Sequence, residues 1–408
     1  LPLSRYIARQ PIFDRDQKVY AYELLFRSGL KNLFDQIDGD QATSRVISDS
    51  VLLFGGHDLT GGKRAFINFT RNLLLKGYGA LLPQQWLVVE VLENVEPDAE
   101  VVEACRKLKD EGYQIALDDF VFTEDYWDLI DLADIIKVDF MVSPPEERRQ
   151  YAREFIPRGL ALLAEKVETQ AEFEEAAGLG YQYFQGYFFA RPTVLTGQDL
   201  PTFKANGLAL LQEINREDMD FEALEEVIKR EAGLSYKLMR YANSVHFASR
   251  TQVNSIKHAL GKLGENEARR FISLVVLSDL GRDRPDELMV TTLTRAKFLD
   301  LIAPSIGLGG RASEMFLTGL FSLMDAFLNQ PMEEAIEDLP IDTDVKQGLL
   351  GKKNRFGYSL ALAEALERAR WKEVQARCER LKLEDRHVTQ RYLEAIEWAD
   401  EVFGQALS

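Results

Sequence analysis

The chain has 408 residues, 46% of them hydrophobic and 28% charged, a soluble globular composition too long for one ordinary core. Its 66 acidic residues against 49 basic ones leave a formal charge of -17, which argues against nucleic-acid partners, because sequence-independent binding depends on Lys and Arg neutralising phosphates. An anionic small ligand would need a metal or local Arg and Lys. Only Cys105 and Cys378 occur, far apart and without a CxxC spacing, so neither a disulfide framework nor a zinc cluster is expected and a reducing cytoplasm fits. No apolar run approaches the roughly 18–20 residues of a membrane helix, and the start, LPLSR, lacks a secretion signal. The expectation is a cytosolic protein with no membrane partner.

Taken in order, 6–13 and 19–26 read as strands around a polar turn at 14–17, an opening hairpin. A helical stretch follows at 41–54, then a strand at 65–69 and another at 86–92. A helix is predicted from Pro97 and Asp98 to Gly112, with Pro suited to its first turn, and a strand at 113–117 comes at once. Strands at 135–139, 160–165 and 181–184 continue the series, separated by helices at 144–156 and 169–179. Apolar strands with helical connections predict a parallel sheet covered on both faces, and seven or eight such units predict a closed barrel.

Acidic or amide residues end these runs: Glu23, Asn68, Glu90, Asp118 with Asp119, Glu165 with Glu168, and Gln185. In such barrels the functional groups gather at the C-terminal strand ends, where the loops converge on one mouth. Oxygen ligands delivered one per strand would there form a site for a hard cation. Asp, Asn and Glu also favour strand ends as helix caps, so any single one of them is weak evidence and the series is what counts.

Beyond a linker-like stretch at 191–201, helical periodicity dominates, with Leu208, Leu211 and Ile214, then Leu224, Val227 and Ile228, then Leu234, Leu238 and Tyr241 at helical spacings. Near the end, Trp371, Val374, Cys378 and Leu381 mark an amphipathic helix. The domains are therefore expected at 1–195, an α/β barrel, and 196–408, all-α. Gly307, Gly309 and Gly310 follow no strand and read as a loop, and the basic run 352–355 reads as a solvated turn.

The motifs QPI at 10–12, YELLFR at 22–27, INFT at 67–70, VEVLE at 89–93, ALDDF at 116–120, IKVD at 136–139, AEKVET at 164–169 and QGYFFARP at 185–192 together resemble the ordered signature of the EAL family of cyclic di-GMP phosphodiesterases and their degenerate relatives. The likeness covers about 5–195 and implies an EAL-type modified TIM barrel. It implies that Glu23, Asn68, Glu90 and Asp118 hold Mg2+ or Mn2+, that Asp119 helps hold a second cation, and that Lys137 lies near the attacking water. Glu165 and Glu168 would serve as base or supporting carboxylates, Gln185 would support ligand or water, and Arg27 would contact a phosphate. Hydrolysis of a phosphodiester suits such a set, because cations bridge nucleophile and phosphoryl oxygens.

Three departures weigh against turnover. Leu24 stands in the namesake triplet where the family has Ala and is expected to crowd Glu23, and 121–125 replaces a Gly-rich loop. Lys166 stands where the family has Gly. An ammonium within about 4 Å of a cation would repel it by on the order of 4 kcal/mol per unit charge at an effective dielectric near 20. The sharper expectation is that Lys166 replaces one cation, and the plainer one that it pairs with a neighbouring carboxylate or faces solvent.

The runs EEVIKREAGLSYKLMRYANS at 225–244 and QVNSIKHALGKLG at 252–264 resemble the HDOD family, helical signalling domains related to HD-type phosphohydrolases but usually without their metal residues. The match is firmest over 200–280. The one His-Asp pair, His57 and Asp58, falls in the barrel half, and His246, His258 and His387 lack Asp neighbours, so no second catalytic centre is expected. The two resemblances imply a bacterial signalling protein. The favoured expectation is a divergent EAL domain, weak or inactive as a phosphodiesterase, that binds cyclic di-GMP and signals through protein contacts of its HDOD domain. The alternatives are an active metal-dependent phosphodiesterase producing linear pGpG, and a scaffold without nucleotide binding. Pairing into a homodimer is compatible with all three.

Overall fold

In the computed structural model, which describes residues 5–28, 59–118, 126–191, 202–216 and 255–404 with the single positions 225, 228, 238, 242 and 253, the chain opens with a two-stranded hairpin. β1 (Arg5–Phe13) and β2 (Val19–Ser28) run antiparallel, with Gln10 opposite Glu23. The turn between them is held by Asp14, whose Oδ1 accepts from the amides of Asp16 and Lys18 at 2.9 Å each. The strands β3 (Arg64–Phe69), β4 (Leu87–Val91), β5 (Gln114–Leu117), β6 (Ile135–Asp139), β7 (Ala161–Glu165) and β8 (Tyr183–Gln185) follow. All eight close into one barrel, in order, parallel from β2 to β8 and antiparallel where β1 meets β2 and β8.

Several of the helices between the strands start where a side chain satisfies free amides. Asp98 caps α2 (Ala99–Asp110), which follows α1 (Arg71–Leu75), by accepting from the amides of Glu100 and Val101, so Pro97 lies before the cap rather than in the first turn. After α3 (Trp127–Ile130) and α4 (Pro145–Phe155), α5 (Gln170–Leu179) opens with a capping box between Thr169 and Glu172. The expected helix at 41–54 and the loop at 121–125 lie outside the described residues, as does the stretch 192–201.

The barrel interior is a buried cluster of Ile12, Ala21, Phe66, Val88, Ala116, Ile135 and Leu163. Strand side chains alternate in direction, so the residue two places on points to the same interior. From those residues the next inward layer is Glu23 on β2, Asn68 on β3, Glu90 on β4, Asp118 just past β5, Lys137 on β6 and Glu165 on β7. Tyr183, packed against the same cluster, is followed two places on by Gln185. On β1, which runs the other way, the equivalent residue precedes Ile12 and is Gln10. An apolar plug thus supports one closed polar ring.

The chain divides into two compact units, the first being residues 1–191 with 365–376 and 384–389, the second 192–364 with 377–383 and 390–408. The C-terminal half is mostly helical: α6 (Thr202–Ile214), α7 (Ile256–Leu280), α8 (Asp286–Ile302), α9 (Ala312–Leu320), α10 (Met324–Leu328), α11 (Met332–Ala335), α12 (Thr343–Leu349), α13 (Arg355–Glu367), α14 (Trp371–Leu381) and α15 (Asp385–Val402). Leu211 and Ile214 of α6 are buried, as are Val374, Cys378 and Leu381 of α14, as their spacing predicts. Within the second unit, α8 and α9 pack through Gly319, where an added Cβ would lie 2.4 Å from the backbone nitrogen of Ala296. Among the described residues, no helix is long and apolar enough to cross a membrane.

Candidate metal centre

Lys137 lies at the centre of the polar ring, fully buried, with its ammonium 2.7 Å from Glu165 Oε1, 2.8 Å from Asp118 Oδ1 and 3.6 Å from Glu23 Oε2, and in contact with Glu90 Oε1. Four carboxylates therefore face one ammonium. An unpaired buried charge carries a desolvation penalty of several kcal/mol, so the excess must take up protons or a cation. Burial, then the charge of Glu23, holds the Glu90 carboxyl well above the usual carboxylate range. Burial also pushes Glu165 up to about 8, against the opposing pull of Lys137 and with Asp118 and Glu23 adding to the rise. For Lys137, burial favours the neutral amine but is outweighed by Glu165, Glu23, Glu90 and Asp118, which hold it charged.

Two amides steady Glu23. Asn68 Nδ2 donates to Glu23 Oε1 at 3.3 Å, and Gln185 Nε2 donates to Glu23 Oε2 at 2.7 Å and to Gln10 Oε1 at 3.1 Å. Gly186, at φ +149°, follows because the backbone of Val167 passes there: an added Cβ would lie 2.0 Å from the Val167 carbonyl oxygen. That close approach lets the Val167 amide donate to the Gln185 carbonyl at 2.9 Å and ties β8 to the turn after β7.

The residues fit a hard divalent cation. One carboxylate oxygen from each of Glu23, Glu90 and Glu165 lies within 4.8 Å of the others, close enough to share an ion. Asn68 Oδ1, Glu90 Oε2, Glu165 Oε2 and Gln185 Oε1 are buried with no hydrogen-bond partner. Buried polar atoms are nearly always paired, and four unpaired oxygens in one ring are what an oxygen-binding ion would satisfy.

The structure thus brings together Glu23, Asn68, Glu90, Asp118, Lys137, Glu165 and Gln185. Glu168 stands apart from the Lys137 cluster: its carboxylate pairs with Arg191, and its amide donates to Glu172 Oε2 at 2.8 Å. Arg27 is placed by its backbone opposite Tyr6, and its side chain lies outside what is described. Asp119 lies outside the described residues.

Two of the sequence departures look different in three dimensions. Leu24 is buried on the face of β2 opposite to Glu23, because neighbouring strand residues point to opposite sides, so it does not crowd the ligand set. Lys166 adopts a left-handed φ of 54°, the backbone conformation for which Gly is the default residue, and its ammonium pairs with Asp139. The plainer expectation therefore holds for Lys166, and the ammonium among the site carboxylates is that of Lys137.

Sequence reasoning missed Asp139 and Gln10. Asp139 lies two places beyond Lys137 and also accepts from the Met141 amide at 2.7 Å. Gln10 does not end its strand, because on an antiparallel first strand the mouth residue comes before the core residue.

The EAL domain family model matches residues 59–192, and the HDOD domain family model matches 200–339, further than the motifs alone reach. The stretch that carries Glu23 precedes the EAL match. Over 401 residues the chain is 37% identical to the protein YuxH of Bacillus subtilis, covering 96% of this chain and 97% of that one. It is 34% identical over 402 residues to CdgJ of Vibrio cholerae, named a cyclic di-GMP phosphodiesterase, covering 98% of this chain and 93% of that one. Among solved structures, the Bacillus subtilis YkuI protein, with an EAL domain and in complex with substrate cyclic di-GMP and calcium, is 22% identical over 64% of this chain and 73% of its own, with a TM-score of 0.39.

Proposed function

The chain belongs to the family of proteins that join an EAL domain to an HDOD domain, and from that premise we propose that its barrel mouth binds Mg2+ or Mn2+ and hydrolyses cyclic di-GMP to linear pGpG. The observation that carries this reading is the ring of buried carboxylates with oxygens left unbonded around Lys137. Glu23, Asn68, Glu90 and Asp118 would hold the cation. A bound cation would offset the excess negative charge and polarise a phosphoryl oxygen.

The chain's own residues have separate tasks. Asn68 and Gln185 fix both oxygens of Glu23. Glu165 would take a proton from water at its unbonded Oε2; since burial pushes its carboxyl up to about 8, the ionised form that acts as base grows as pH rises above neutral. The water oxygen bonds to phosphorus, the bond to the 3′ oxygen breaks, and that oxygen takes a proton from solvent. Lys137, held charged beside Glu165 and Asp118, orients both. Protein contacts are proposed for the helical half, which the HDOD domain model matches over 200–339.

A second reading is binding of cyclic di-GMP without turnover. The position of Lys137 favours it, since this ammonium already contacts all four carboxylates and a cation must compete with it. Incubating the full chain with cyclic di-GMP and Mg2+ or Mn2+, then separating products by chromatography, decides between them. Hydrolysis predicts pGpG that disappears with EDTA and with Glu23→Ala. Calorimetric binding with no product in either metal supports the second reading, and neither binding nor product overturns both.

A further inference from the structure

The last carbonyl of helix α13 is joined to the namesake glutamate by two amides in series, and we propose that Gln10 is a positioning residue that sets the orientation of Gln185 and through it Glu23. Gln10 Nε2 donates to the main-chain carbonyl of Glu367 at 3.3 Å. Gln10 Oε1 then accepts from Gln185 Nε2 at 3.1 Å, and the same Gln185 nitrogen donates to Glu23 Oε2 at 2.7 Å. All four residues belong to the first unit, which includes 365–376.

The direction of this chain of bonds follows from its ends. A carbonyl only accepts, so the nitrogen of Gln10 must face Glu367 and its oxygen must face Gln185. Facing an oxygen, Gln185 must present its NH2 group, whose two hydrogens serve Gln10 and Glu23. The Gln185 oxygen is thereby turned away from Glu23, and it is one of the buried oxygens without a partner. With the Gln10 amide reversed, two NH2 groups would meet, and Gln185 would have to turn its own oxygen toward Gln10 and withdraw its donor from Glu23.

The anchor is well placed to hold. A carbonyl in the last turn of a helix has no amide of its own helix to accept from. Just beyond Glu367 the same segment meets β1 and the turn after β8. The Arg368 guanidinium lies 4.1 Å from the centre of the Tyr187 ring, and the Trp371 and Tyr6 rings are 5.7 Å apart. A segment more than 350 residues from Gln10 thus takes part in ordering a cation ligand.

This inference rests on the proposed metal site for one of its two readouts only. In the full chain, Gln10→Met, Gln185→Met and the double variant are compared by Mn2+ titration and by melting in EDTA. Partners behind metal ligands typically change metal affinity by about 10–100-fold, so Gln10→Met is expected to weaken Mn2+ binding within that range and to add no further loss in the Gln185→Met background. In EDTA the double variant is expected to lose less melting temperature than the two single losses together. Equal Mn2+ affinity in Gln10→Met and wild type, or strictly additive melting losses, overturns the proposal. Gln10→Ala serves in the same comparison if the Met variant does not fold. A wild type that binds no Mn2+ overturns the metal reading alone, and the melting comparison in EDTA still decides for or against the positioning role of Gln10.

Discussion

The barrel mouth and the helical unit both bury polar side chains, but the mouth gathers carboxylates from several strands around one ammonium, whereas several buried hydroxyls of the helical unit bond to a carbonyl close by in sequence. In the helical unit, several buried hydroxyls return to a carbonyl three or four places back: Thr292 Oγ1 donates to Leu288 at 2.7 Å, Thr294 Oγ1 to Val290 at 2.9 Å, and, in the turn after α9, Ser322 Oγ to Gly319 at 2.7 Å. Each such bond closes locally and leaves no net charge. At the mouth, carboxylates from different strands face one another around Lys137 with oxygens unbonded. The helical unit also holds buried oxygens without a hydrogen-bond partner, among them Asn215 Oδ1, Ser273 Oγ and Ser359 Oγ, but at the mouth the unbonded oxygens and the charges converge around Lys137.

Removing the ammonium tests this contrast most severely. Lys137→Met leaves the facing carboxylates without their counter-charge and is expected to destabilise the first unit by about 3–5 kcal/mol in urea unfolding, partly recovered by saturating Mg2+. Thr292→Val in the helical unit removes a bond worth about 1 kcal/mol and should be insensitive to Mg2+. If Lys137→Met is the milder of the two, the distinction between the regions fails.

A middle effect is expected from packing alone. Gly319→Ala forces a Cβ against the backbone of Ala296 and should destabilise the helical unit by about 1–3 kcal/mol, seen as a lower melting temperature with Mn2+ affinity unchanged. Coupled loss of Mn2+ binding would blur the contrast.

The smallest expected effect is a pH drift. Glu165 has its folded value raised from 4.5 to about 8, so the stability its protonation contributes is fully present below 4.5 and is lost as pH rises through about 8. Metal-free protein should therefore melt at progressively lower temperature across that window, and saturating Mg2+ should flatten the slope. A melting temperature that climbs over the same range in EDTA would contradict the assigned burial of Glu165.

Much of the barrel was legible because strand periodicity and site position share one cause. The plug residues Ala21, Phe66, Val88, Ala116, Ile135 and Leu163 and the mouth residues Glu23, Asn68, Glu90, Asp118, Lys137 and Glu165 are separated by two places, the repeat of a strand face. Gln10 escaped because chain direction, not residue type, decides which end of a strand reaches the mouth. The partner of Lys166 escaped because a left-handed backbone at 166 and a carboxylate on the neighbouring strand are both needed to send its ammonium to Asp139.

By itself, the order of apolar runs and terminal oxygens determined that this chain forms a barrel with an oxygen-lined mouth, followed by a helical half, since alternation along a strand is a local property of the backbone. Only the tertiary structure decided that Lys137 is the shared counter-charge and that the carbonyl of Glu367 meets Gln10. Those are through-space relations between strands and segments distant in sequence, set by barrel closure and side-chain packing, and no local pattern encodes them.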